Sequence, residues 1–295
     1  MKLARCKWQD AIYLAVVDEP KQEALLIGDA LDEHANPVLD AIRRGGLDAG
    51  ALTGGRPVRF DDLRFLAPLS ALVRNLFAIG KNYHDHALEF DQSGFNATTG
   101  GPASIPAYPQ VFTKATTALC GPVDPIRYDP ACTRSVDYEG EIGVVIGKRC
   151  RGVAKADAMD VVFGFVLLND VTARDLQKNH AQWFLGKSLD TFCPLGPWIA
   201  TRDQTPVESL RVQTWVNGEL RQDASLAQLI FDIPTLVETI SRGTTLLPGD
   251  IIATGTPVGV GIGFTPPKFL AHGDVVRIAA PGLGELNNPV EAVAA

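Results

Sequence analysis

Two uninterrupted apolar runs set the strongest limit on how this chain folds. Residues 142–147 and 161–168 are built from Ile, Val, Leu, Phe and Gly alone. Runs of this length and β-branched content fit strands covered on both faces. Each run is bounded by acid: Glu139 and Glu141 open the first, and Asp170 follows the second after Asn169. Successive side chains of a strand point to opposite faces, so Glu139 and Glu141 project the same way, roughly 7 Å apart at a rise of about 3.3 Å per residue. Acids at the mouth of buried strands need a partner, and three of them brought together repel. A hard divalent cation with oxygen ligands would hold such a set, Mg²⁺ or Mn²⁺ first and Ca²⁺ as a further option.

The remaining strand signals favour a β-rich core rather than a doubly wound sheet. Residues 210–216 alternate, Asn217-Gly218 supplies a two-residue hairpin turn, and 219–222 return. Residues 249–253 and 274–278 read as strands, with few helices between them. One helix is expected over 234–241, where Pro234 stands near the start, Leu236, Val237 and Ile240 share a face, and Gly243 ends it. The first 70 residues differ in character. Short strands over 11–17 and 23–27 and a short helix over 37–44 carry few candidate catalytic residues, so a small α+β domain over 1–70 is expected before a core over 71–295.

Bulk properties exclude several functions. The 295 residues carry a net charge of −7, which gives no basic field for nucleic acid. No apolar run approaches the roughly 20 residues of a membrane span, and no secretory h-region follows the basic N-terminus. Five cysteines, an odd number without a Cys-x-x-Cys pair, fit reduced thiols in a cytoplasm. Cys193 is read as a buried, inert thiol.

Three further clusters carry chemistry. On a helix, His86 and Glu89 share a face, and a carboxylate beside an imidazole fixes the tautomer of a base able to deprotonate water. Against this stands an exposed salt bridge at a helix start, and a zinc reading of His84-x-His86 lacks further histidines at workable places. Lys187 is a lone cation in an apolar stretch, suited to an anionic substrate or a developing enolate, or else a lysine with its head in solvent. The glycine-rich loop 254–263 lacks the P-loop Gly-Lys-Ser/Thr and is followed by Pro266-Pro267 where a helix should start. Its backbone amides and the Thr256 hydroxyl are candidates to hold a small carboxylate, and a purely structural glycine turn is the competing reading. Residues 91–109, rich in small residues and adjacent to His86 and Glu89, are expected to form a lid.

These clusters, in this order from residue 75 to about 274, resemble the fumarylacetoacetate hydrolase superfamily. The acid-x-acid pair with its downstream Asp matches Glu139, Glu141 and Asp170. The His-x-x-Glu dyad matches His86 and Glu89, and the catalytic lysine matches Lys187. The stretches 169–177, with Arg174 and Gln177, and 254–261 look like further signatures. The resemblance implies a mixed β-roll core, bound Mg²⁺ or Mn²⁺, a homodimer, and a 2-oxo or 2,4-dioxo acid substrate held in part by Gln177 and Thr256. The expected reaction is hydrolysis of a C–C bond in an acylpyruvate or fumarylacetoacetate-type acid. Oxaloacetate decarboxylation, isomerisation or hydration of a 2-oxo acid and cleavage of a diketo deoxysugar acid are alternatives on the same site, and a metal-binding homologue without catalysis is the alternative of another class.

Overall fold

The computed structural model describes residues 1–95 and 105–293. The two apolar runs are neighbouring antiparallel strands, Gly140–Ile146 and Val162–Asn169, with every residue of both buried. They lie inside a long mixed sheet. From one edge its order is Arg56–Arg59, Glu23–Leu31, Ala11–Asp18, Lys2–Trp8, Cys193–Thr201, Val162–Asn169, Gly140–Ile146, Ile251–Ala253, Leu76–Gly80, Gln110–Lys114. Ile251–Ala253 and Leu76–Gly80 run parallel, and the other neighbours along this path are antiparallel. A second sheet orders Glu219–Ser225, Arg211–Val216, Val275–Ala280, Gly284–Ala292 and Ile126–Tyr128 and packs across the first. The result is the mainly β roll with some α expected from the sequence.

The sheets approach closely at Gly140. A Cβ there would lie 2.1 Å from Thr214 Oγ1 of the second sheet. Only glycine allows this approach, and strand alternation then turns Glu139 and Glu141 away from the interface, towards one another's side. The residue between the two acids is thus fixed by sheet packing.

The N-terminal segment is hydrogen-bonded into the long sheet. Leu3 pairs with Ile199, and its strand pairs on the other side with Ala11–Asp18. Leu3, Ala15, Leu26 and Ile42 belong to the same buried cluster as Ile142 and Val166. Trp198 ties the parts together: its ring meets Phe65 and Phe60, and its indole N–H donates to the Gly282 carbonyl at 3.1 Å. The short helix Pro37–Arg44 forms as expected, with Gly45 in the left-handed conformation at its end.

Candidate metal centre and catalytic pocket

Glu139, Glu141 and Asp170 converge as the sequence requires. Each offers a carboxylate oxygen, and these oxygens lie within 4.8 Å of one another in a buried setting. Gly140 pairs with Asn169 across the two strands, which brings the acids beside each other, and the Asp170 amide donates to the Glu139 carbonyl at 2.9 Å. Burial, reinforced by the charges of Asp170 and Glu139, pushes the Glu141 carboxyl well above the usual carboxylate range. That repulsion is what a divalent cation relieves, and an all-carboxylate donor set suits a hard, oxygen-loving ion.

Lys187 is not the lone cation expected. Its Nζ lies 2.7 Å from Glu139 Oε2 and 2.7 Å from Asp170 Oδ2. Two further buried cations accompany it. Lys114 Nζ donates to Asp170 Oδ1 at 2.6 Å and to the Val171 carbonyl at 3.1 Å. Arg174 pairs with Glu139 Oε1 at 2.7 Å and donates from Nε to Asp137 Oδ2 at 2.8 Å. Burial works against ionisation of Glu139, but Lys187 and then Arg174 outweigh it and hold this carboxyl well below its ordinary value. Burial likewise opposes the Lys187 ammonium, and Asp170 and Glu139 raise its pKa above the ordinary lysine value.

His86 and Glu89 lie on the helix His84–Gln92, three residues apart on one face, with His86 Nδ1 3.0 Å from Glu89 Oε2. The other Glu89 oxygen accepts from the Gly259 amide at 3.0 Å. With Nδ1 donating to this fixed carboxylate, Nε2 is the basic nitrogen. His86 is buried, whereas His84 is exposed, so the two do not form a ligand pair. His86, Glu139, Arg174, Gln177, Lys187 and Thr256 line one narrow pocket. A wider cavity of about 860 Å³ lies elsewhere, between the N-terminal strands and the second sheet, and includes none of these residues.

The glycine-rich loop corrects an expectation. Its amides hold carboxylates of the protein itself: Gly255 donates to Glu141 Oε2 at 2.8 Å, Gly259 to Glu89, and Gly261 to Asp137 Oδ1 at 2.6 Å. The Thr256 hydroxyl donates to the Gly140 carbonyl at 3.1 Å and accepts from Gln222 at 2.7 Å. Gln177 accepts from Arg174 at 3.1 Å. Both residues reach the pocket, and both are already oriented by neighbours. Cys193 is buried, and its thiol is pushed up to about 12 by burial, as an inert side chain requires. The lid expected over 91–109 falls in part on residues 96–104, outside the described residues.

The fold, the triad and the dyad agree with the family signature found in the chain. The model of the fumarylacetoacetate hydrolase C-terminal region matches residues 75–291, and the chain belongs to the fumarylacetoacetate hydrolase family. Oxaloacetate tautomerase YisK of Bacillus subtilis strain 168 is 44% identical over 270 residues, covering 91% of this chain and 85% of that protein. A fumarylacetoacetate hydrolase from Exiguobacterium antarcticum superposes with a TM-score of 0.84 at 39% identity, covering 99% of this chain and all of that one. Maleylpyruvate hydrolase from Sphingobium sp. SYK-6, in complex with manganese(II) and pyruvate, superposes at 0.77 with 33% identity and 99% coverage of each chain.

Proposed function

We propose that this protein is a divalent-metal-dependent enzyme that enolises a 2-oxo acid, with keto–enol tautomerisation of oxaloacetate as its first candidate reaction. One observation carries the reading: Glu139, which belongs to the buried triad with Glu141 and Asp170, lines the same narrow pocket as a base whose second nitrogen is held by a carboxylate. Mg²⁺ or Mn²⁺ held by the triad would supply Lewis acidity towards the 2-oxo and carboxylate oxygens. His86, oriented by Glu89, takes a proton from the carbon next to the 2-oxo group, and the enolate oxygen gains a proton to give the enol. The reverse reaction loses that proton from oxygen and regains one at carbon from His86. Lys187 and Arg174 place positive charge where the enolate oxygen develops. Gln177 and Thr256 orient the bound acid. The similarity to an oxaloacetate tautomerase over nine-tenths of the chain supports this choice of reaction.

Hydrolysis of a C–C bond in a 2,4-dioxo acid is the second reading. The same imidazole that moves a carbon-bound proton can activate water, and the likeness to a maleylpyruvate hydrolase supports it. Mixing the protein with oxaloacetate and Mg²⁺ or Mn²⁺ and following the enol absorbance tests the first reading. Release of pyruvate from acetylpyruvate tests the second. EDTA should abolish either activity and added Mn²⁺ restore it; full turnover in metal-free protein would remove the triad from the mechanism. The family resemblance also supports a homodimer, and five cysteines without a Cys-x-x-Cys pair support a cytoplasmic setting. Light scattering on eluted protein decides the assembly, and fractionation the compartment. Among the described residues no helix is long and apolar enough to cross a membrane.

A further inference from the structure

One wall of the pocket is a chain of three aromatic rings. Phe112 meets Trp183 edge to face at 5.2 Å, and Trp183 meets Phe90 the same way at 6.0 Å. A lysine ammonium stands at each end of this chain. Lys187 Nζ lies 5.1 Å from the Phe112 ring centre, and Lys81 Nζ lies 5.2 Å from that of Phe90. All five residues line the one pocket. The middle ring has its place because residue 80 is glycine: a Cβ there would lie 2.3 Å from the Trp183 ring.

Lys81 is held at its end at some cost. Its φ is +54°, in the left-handed region that a residue with a side chain adopts only under constraint. The constraint comes from Asn82, which donates to the Thr254 carbonyl at 2.8 Å and to the Phe231 carbonyl at 3.1 Å, and accepts from the Phe231 amide at 2.8 Å. Lys81 is buried and donates to Asp91 Oδ1 at 2.6 Å. An ammonium has three donors, so a second carboxylate can join without displacing Asp91. Lys187 answers charge at the triad end. A cation at the other end of an apolar wall answers charge on the far end of the substrate.

We propose that Lys81 is the specificity-determining residue that binds the distal carboxylate of a dicarboxylic 2-oxo acid whose 2-oxo end lies at the triad. The inference rests on the 2-oxo acid reading of the site. The test compares 2-oxoglutarate, which has a second carboxylate, with 2-oxobutanoate, which lacks one, by calorimetric titration of the Mn²⁺-loaded protein. Lys81→Met should weaken 2-oxoglutarate by about 30-fold and 2-oxobutanoate by about threefold or less, since only the former loses a charge-assisted contact. Lys81→Arg should keep most of the difference. Asp91→Asn should tighten 2-oxoglutarate alone, an opposite sign that a merely structural ion pair does not produce. Should Lys81→Met fail to fold, Lys81→Met with Asp91→Asn removes the negative charge that Lys81 balances and carries the same prediction. Equal losses on both ligands, or none, overturn the role of Lys81 alone. Failure of the wild-type protein to bind either ligand overturns the 2-oxo acid reading and this inference with it.

Discussion

Lys187 bridges two oxygens that belong to the triad, one from Glu139 and one from Asp170. An ion held by those oxygens would compete with the ammonium, and the lysine would then serve as a stand-in cation in metal-free protein. Lys187→Met should therefore destabilise the metal-free protein by about 3 kcal/mol, because Glu139 and Asp170 each lose one of two buried cationic partners. Mn²⁺ should restore more of the melting temperature in the variant than in the wild type; an equal gain in both would show that lysine and ion do not share the site. His86 behaves differently because it is not part of the triad. His86→Ala should lower kcat by about 10²–10⁴-fold, the usual worth of a positioned base, while Mn²⁺ affinity stays unchanged by calorimetry. Glu141→Ala should show the reverse order of damage, with metal affinity lost first. Much of this cluster was legible from spacing alone, since i, i+2 acids on a strand share a face. The same alternation already included Asp137, two residues before Glu139, and it passed unread because no apolar run follows it directly. Lys114 carried no signal at all: it ends a strand 56 residues before Asp170, and only the folded sheet brings them together.

The two acids are aimed by the contact between sheets at Gly140, so the metal centre depends on an element that never touches the ion. Gly140→Ala should push Thr214 back and tilt the strand that carries Glu141, at a cost of about 1–3 kcal/mol typical of overpacking. Mn²⁺ affinity should fall with stability. Adding Thr214→Ala should return part of both, and a double variant no better than the single would place the strain elsewhere. Hairpins with local turn chemistry were readable, as at Asn217-Gly218, where Arg211–Val216 returns as Glu219–Ser225. The strand Lys2–Trp8 was not. Lys2, Arg5 and Lys7 interrupt its apolar pattern, and its strand character comes from partners on both sides rather than from its own residues.

At the scale of the whole molecule, one sheet joins the N-terminal strands to the strands that carry the acids. Near- and far-ultraviolet circular dichroism should therefore report a single, coincident unfolding transition in urea. Deletion of residues 1–70 should give aggregating protein, because it uncovers the end of the buried strand Cys193–Thr201 where Ile199 and Ala200 pair with Leu3 and Lys2. Two separate transitions, or a soluble and active truncation, would show the first 70 residues to be an independent unit. The pairing of Lys2 with Ala200 has a further meaning in time. On a ribosome adding about 5–20 residues per second, the first strand waits roughly 10–40 s for its neighbour to be made. Throughout that interval its open edge is a template for any other nascent chain. Lys2, Arg5 and Lys7, which obscure the strand in the sequence, charge that edge and keep strangers away until the rightful partner emerges.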